Sequence, residues 1–180
     1  NGLLGRKYIR EKAHYPGVIS VGLSLLIAAS IFYEVAFRSG GGDIVLYQWI
    51  IGTNLEANVG FLVDPLSAIM LMVVCGVGFL IHVYSIGYMH GDGGYYRFFA
   101  YLNLFMFSML ILVLADNYLL MFVGWEGVGL CSYLLIGFWF QKKSAADAGK
   151  KAFVVNRIGD AGFLLGLFLI YSSLGTFNFI

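Results

Sequence analysis

Charge is what this sequence has least of. Of its 180 residues only 12% are Asp, Glu, Lys or Arg, about half the share an ordinary soluble domain carries. That is too little to solvate the surface of a water-soluble fold of this size. The net charge of +1 leaves no global field to draw in nucleic acid or an acidic partner. Cysteine is equally scarce: Cys75 and Cys131 stand alone, each within an apolar run, with no CxxC and no Cys/His spacing. That pattern argues against an iron–sulfur or structural zinc site and for two small buried apolar side chains. There is no low-complexity segment and no strong internal repeat.

What the chain has instead is apolar length. Hydrophobic residues make up 60% of it, and five runs, 17–37, 65–87, 98–115, 118–140 and 152–174, reach bilayer-spanning length. At 1.5 Å per residue each covers roughly 27–35 Å, enough for a hydrocarbon core of about 30 Å. The fold class expected is therefore an all-α integral membrane protein of about five transmembrane helices. Asp64 is placed to cap the second helix and Pro65 suits its first position. Asp116-Asn117 reads as the tight turn between the third and fourth helices. Tyr33, Phe37, Tyr84, Tyr88, Tyr118, Trp139 and Phe140 fall near span ends, as interfacial aromatics do. The basic stretch 6–12 resembles a signal-peptide n-region, but the apolar run after it is too long and is followed by more spans. It reads as a retained helix. A start at Asn1 and a stop at Ile180 just after an apolar run suggest a chain cut at both ends.

With five spans the connectors alternate sides. One side then receives Arg6, Lys7, Arg10, Lys12, Arg97, Lys142, Lys143, Lys150 and Lys151, and the other only Arg38. The positive-inside rule puts the first side, with its basic 141–151 loop, in the cytoplasm or its equivalent. On the outer side DIVLYQWIIGTNLEANVGFLVD, residues 43–64, holds two β-prone runs, 44–51 and 58–63, around Gly52-Thr53-Asn54-Leu55. A short hairpin is expected there. The chain divides into residues 1–64, a first helix and connector, and residues 65–180, four further helices.

Five ionisable residues fall inside the spans: Glu34, His82, Glu126, Arg157 and Asp160. Glu34 is about one turn from a helix end and can reach the interface. His82, roughly 7–8 Å deep, reads either as a hydrogen-bonded core histidine or as a member of a proton relay. Glu126 and Asp160 each lie about 12 Å from their respective helix ends, on spans of opposite direction. Both therefore approach the bilayer's middle, where a carboxylate costs several kcal/mol and is a functional candidate by default. Arg157 precedes Asp160 by three residues and can pair with it. Glu126 has no basic residue at that spacing, so its partner must come from another helix, from water or from its own protonation. A carboxyl balanced between burial and a movable cation can load and release a proton. Gly124, Gly127 and Gly129 remove bulk beside it, and small residues let helices approach closely. Trp125 reads as either a wall of the site or packing.

The stretches FLVDPLSAIMLMVVCGVGFLIHVYSIGYM, YYRFFAYLNLF, LVLADNYLLMFVGWEGVGLCSYLLIGFWF and KKAFVVNRIGDAGF closely resemble the L subunit family (chain 5) of respiratory complex I, NADH:quinone oxidoreductase. The resemblance runs from about residue 60 to the end and covers the early part of such a subunit, without its first helix or those after the sixth. It implies an antiporter-like fold built on two inverted five-helix repeats, and proton translocation as a non-redox translocase subunit. A fragment of this extent is not expected to be active alone. Glu126 matches the family's proton-carrying glutamate, which pairs with a lysine on a helix beyond this sequence, and Arg157 and Asp160 match its arginine–aspartate pair. No cofactor is expected in this chain; flavin and iron–sulfur clusters would sit in partner subunits. The partners implied are other membrane and peripheral subunits, a neighbouring antiporter-like subunit above all, and the lipid bilayer, with no nucleic acid. The location implied is the bacterial plasma membrane. Multisubunit cation/proton antiporters and membrane-bound hydrogenases retain the Trp-Glu pair but usually place polar residues where this chain has Gly127-Val128-Gly129. A purely structural membrane scaffold, with Glu126 in a static hydrogen bond, is the third reading.

Overall fold

A computed structural model of the chain describes residues 12–38, 40–52 and 56–179. Arg6, Lys7 and Arg10 of the basic stretch and Thr53-Asn54-Leu55 of the expected turn lie outside the described residues. The order of elements is α1 (His14–Arg38), β1 (Gly42–Ile51), β2 (Glu56–Val63), α2 (Pro65–Tyr88), α3 (Tyr95–Leu114), α4 (Tyr118–Ile136) and α5 (Lys143–Leu174). All five helices are long and apolar enough to cross a membrane. α1 packs on α2, α2 on α3, α3 along α4, and α4 on α5.

Local signals start the helices where expected. The Ser67 N–H donates to Asp64 Oδ1 at 2.7 Å, and the Asp64 N–H donates to Ser67 Oγ at 2.8 Å. This reciprocal capping box satisfies donors that α2 would otherwise leave open. Asn117 does more than turn the chain: its side-chain oxygen accepts from the Leu120 N–H at 2.9 Å and so caps α4.

α1 and α3 each begin three residues before the expected spans, and two boundaries differ more. The fourth span ends at Ile136 rather than 140, with Gly137 as its cap. Phe138 turns back into the core instead, edge-on to Phe98 and Tyr101, while Arg97 lies over the rings of Phe138 and Phe140. The segment 141–151 is not a loop. From Lys143 onward it is helix, and α5 runs for 32 residues. Ala, Lys and Ser separated by few breakers propagate a helix in water. The resulting rod of about 48 Å exceeds a hydrocarbon core of about 30 Å, so its polar first turns extend past the apolar part.

The two ends of the bundle differ in character. At one end Lys12, His14, His90 and Asp92 line a cavity between the start of α1 and the α2–α3 loop. The Trp139 indole N–H donates to Asp92 Oδ2 at 2.9 Å, and Lys142 lies over the Trp139 ring. Basic residues from the start of α1, the start of α3 and the α4–α5 connection thus gather at one end, as the alternation of the helices requires. Together with a Gly94 N–H bond, the Trp139 bond holds the Asp92 carboxyl below its ordinary range.

At the other end β1 and β2 pair antiparallel, with Gly42 opposite Val63 and Ile50 opposite Ala57. The hairpin is clamped to the α3–α4 turn: Asn117 Nδ2 donates to the Asn58 carbonyl at 2.7 Å, and Phe61 bridges Ala115. Gly60 passes so close to Asp116 that a Cβ there would overlap the carboxylate. The chain after α5 joins the clamp through the Tyr118 N–H to the Phe177 carbonyl at 3.0 Å. Burial pushes the Asp116 carboxyl up, and nearby Asp43 adds to the push; hydrogen bonds from Asn117 and Gly60 oppose it.

Candidate functional site

The glycines of α4 decide how it sits. Gly124 lies against the Leu112 backbone and Gly127 against Ser108, so both serve the close approach of α3. Cys131, one turn further, is buried beside Ser108. The neighbouring face of α4 meets α5 in antiparallel register: Phe122 stacks on Phe163, Trp125 stacks on Phe163, and Tyr133 packs on Phe153. Glu126 and Gly129 fall on that face by the helical period. Arg157 comes up against them from α5, and Gly129 leaves room for its guanidinium.

Arg157 is the centre of the site. Its Nη1 makes an ion pair with Glu126 Oε2, and its Nε lies 3.1 Å from Asp160 Oδ2. Sequence spacing anticipated the second contact but not the first. The partner of Glu126 within this chain is therefore a cation on the next helix. Asp160 is buried, and its other oxygen, Oδ1, accepts from the Trp125 indole N–H at 2.8 Å. One cation thus faces two carboxylates near the midpoint of α4. With both carboxylates ionised the cluster carries a net negative charge, and a single proton neutralises it. The same carboxylates stand beside one five-donor guanidinium, whose donors are enough to serve both of them.

The other intramembrane ionisable residues are elsewhere. His82 is almost fully buried on α2 and packs against the Phe99 ring. Its Nδ1 donates to the Gly78 carbonyl at 2.8 Å, because a carbonyl can only accept. Nε2 has no hydrogen-bond partner among the described residues. Glu34 pairs with Arg38 at 3.0 Å, both exposed, near the end of α1. No group of three or more His, Cys, Asp or Glu side chains able to hold a metal occurs among the described residues. Trp125 is the residue whose part in the site sequence reasoning left open; its donor-only indole next to an intramembrane acid was the available signal.

Two family models match the chain. One, described as complex I chain 5 N-terminus, covers residues 49–99; the other, the membrane domain of NADH:quinone oxidoreductases and Mrp antiporters, covers residues 115–180. The chain belongs to the complex I chain 5, or subunit L, family. Among its relatives, the NADH-quinone oxidoreductase subunit L of Mycobacterium tuberculosis is 56% identical over 98% of this chain and 28% of the relative. Subunit L of Escherichia coli is 51% identical over 91% of this chain and 27% of the relative. The chain thus spans little more than a quarter of the length of these relatives. Among solved structures, a chain of the Mrp complex from Dietzia superposes with a TM-score of 0.74 at 27% identity, over 98% of this chain and 18% of that one. The antiporter-like fold of the family is what those five helices adopt here.

Proposed function

We propose that this chain carries part of the proton path of an L-type subunit of NADH:quinone oxidoreductase, with Glu126 as the group that takes up and passes on the proton. The observation that carries the reading is Arg157 lodged between Glu126 and Asp160 across the α4–α5 contact. A nearby cation favours the ionised form of a carboxyl. Movement of the guanidinium toward Asp160 therefore loads a proton on Glu126, and its return releases the proton. Trp125 and Glu126 leave one side of the cluster open, where a further helix of the full subunit could bring the lysine that the family resemblance implies. His82, with its unpartnered nitrogen, is a candidate relay toward the basic end. Redox chemistry, with its flavin and iron–sulfur clusters, belongs to partner subunits, and a neighbouring antiporter-like subunit is the nearest of these. The membrane proposed is the bacterial plasma membrane, with the basic end in the cytoplasm.

Glu126→Gln in the whole complex tests this reading. It removes the ionisable carboxyl while keeping size and one acceptor, so assembly should persist and NADH-driven pumping should fall. An assembled variant that pumps normally sinks the assignment. The likeness to an Mrp chain supports a second reading, a cation/proton antiporter subunit without redox partners. Sodium-dependent pH gradients in vesicles with no response to NADH would favour it.

A further inference from the structure

We propose that Trp125 is a positioning residue, whose indole N–H holds one oxygen of Asp160 and thereby sets how Arg157 divides itself between Asp160 and Glu126. The inference rests on the reading of Glu126 as proton carrier and deepens it.

The geometry at Asp160 is asymmetric. Oδ1 receives a hydrogen bond from Trp125 at 2.8 Å. Oδ2 lies 3.1 Å from Arg157 Nε, yet neither atom has a hydrogen-bond partner, so the N–H is not aimed at the oxygen. A carboxylate free to rotate beside a guanidinium settles into a two-bond, side-on pair. Asp160 does not, because its other oxygen is tied to the indole. The guanidinium directs its Nη1 to Glu126 instead.

The tie is itself held rigid. The Trp125 ring is nearly parallel to Phe163, 17° and 5.9 Å between centroids, and Phe163 stacks in turn on Phe122 at 5.5 Å. Phe163 sits three residues after Asp160, so the platform and the acid share one face of α5. Tryptophan suits this place for a specific reason: it combines a wide stacking surface with one donor that neither accepts nor titrates. A Phe keeps the stack and loses the donor.

Among the described residues nothing else charged pairs with the cluster. Besides Glu126, α4 carries as titratable groups only Cys131, turned to Ser108 of α3, and Tyr118 and Tyr133. α3 offers Arg97 and tyrosines near its opposite end, and α5 offers Lys143, Asp147, Lys150 and Lys151 in its polar first turns and Tyr171 near its last. The described ion pairs within the cluster are those of Arg157 with Glu126 and Asp160.

Without the indole donor Asp160 turns to bind Arg157 with both oxygens, and Glu126 loses its share of the cation. The test is the pH profile of NADH-driven proton pumping by the whole complex in membrane vesicles. Trp125→Phe should displace the midpoint toward alkaline pH by about one unit, a tenfold change in proton affinity. Asp160→Asn cannot compete for Arg157 in the same way, so adding Trp125→Phe to it should move the profile no further. Phe163→Leu, which removes the platform but leaves the donor, should give a smaller displacement in the same direction. A Trp125→Phe profile that overlays the wild type, or an equal displacement in the Asp160→Asn background, overturns the proposal. Normal pumping by Glu126→Gln would instead overturn the proton-carrier reading. An impaired Glu126→Gln beside an unshifted Trp125→Phe defeats only the role of the tryptophan.

Discussion

Replacing Gly124 by Ala should push α3 and α4 apart, and the size of the effect can be worked from the contact. A Cβ at Gly124 would stand 2.6 Å from the Leu112 amide nitrogen, 2.7 Å from its Cα and 2.9 Å from its Cβ. Ordinary van der Waals contact begins at 3.4 Å, so about 0.8 Å of separation is needed at this crossing. The obstructing atoms are backbone, which cannot swing aside as a side-chain tip does. Overpacking of this kind costs about 1–3 kcal/mol, and Ala returns up to about 1 kcal/mol of helix propensity over Gly. With the full offset a net loss of up to about 2 kcal/mol follows. Gly76 is the control, since a Cβ there meets only Leu25 Cδ1 at 3.9 Å. Gly76→Ala should be neutral or stabilising by up to about 1 kcal/mol. Both variants are to be compared in the full-length subunit by thermal and detergent-induced unfolding in mixed micelles. Equal stability of Gly124→Ala and Gly76→Ala would refute the claim that glycine is required by a backbone-to-backbone approach.

Arg157→Leu leaves two facing carboxylates without their shared cation. Removing one partner of a buried ion pair costs roughly 3–5 kcal/mol; adding Glu126→Gln should recover part of it in the same unfolding assay. The two ends of the bundle should respond oppositely to acid. Asp92 is held below the ordinary carboxylate value of 3.8, so its contribution is present above that pH and is lost as the pH falls below it. Asp116 is pushed above 3.8, so its contribution is greatest below that value and declines as the pH rises through it. Amide exchange, corrected for the intrinsic pH dependence, should show residues 89–94 losing protection in acid while the Tyr118 amide, bonded to the Phe177 carbonyl in the same clamp as Asp116, gains it. The same trend at both ends would contradict the assigned partners.

Much of the fold was legible because its determinants are local. Apolar runs of bilayer length, Asp64-Pro65 before the second and Asp116-Asn117 before the fourth mark the helices without reference to any other part of the chain. The hairpin followed from β-prone runs around a glycine-containing turn. Two boundaries were less legible for one reason. Hydropathy marks where a helix leaves the membrane and not where it stops, so the polar turns at 143–151 read as loop. Conversely, the apolar 137–140 read as helix although α4 stops at Gly137 and Phe138 folds back onto α3. At the site, spacing within one helix could pair Arg157 with Asp160 but could not see Glu126. That contact needs the antiparallel register of α4 and α5, which the stacks of Phe122 and Trp125 on Phe163 set.

By itself the sequence determined that this chain has helices apolar enough to lie in a membrane, where they run, and which ionisable residues fall within them. Those facts depend on composition and on distances along a single helix. Only the tertiary structure decided that Gly124 and Gly127 turn toward α3 while Trp125, Glu126 and Gly129 turn toward α5. From that rotation comes the cluster in which Arg157 serves both acids and Trp125 holds one of them. Charges separated by 31 residues interact according to their distance in space, and helix packing alone sets that distance.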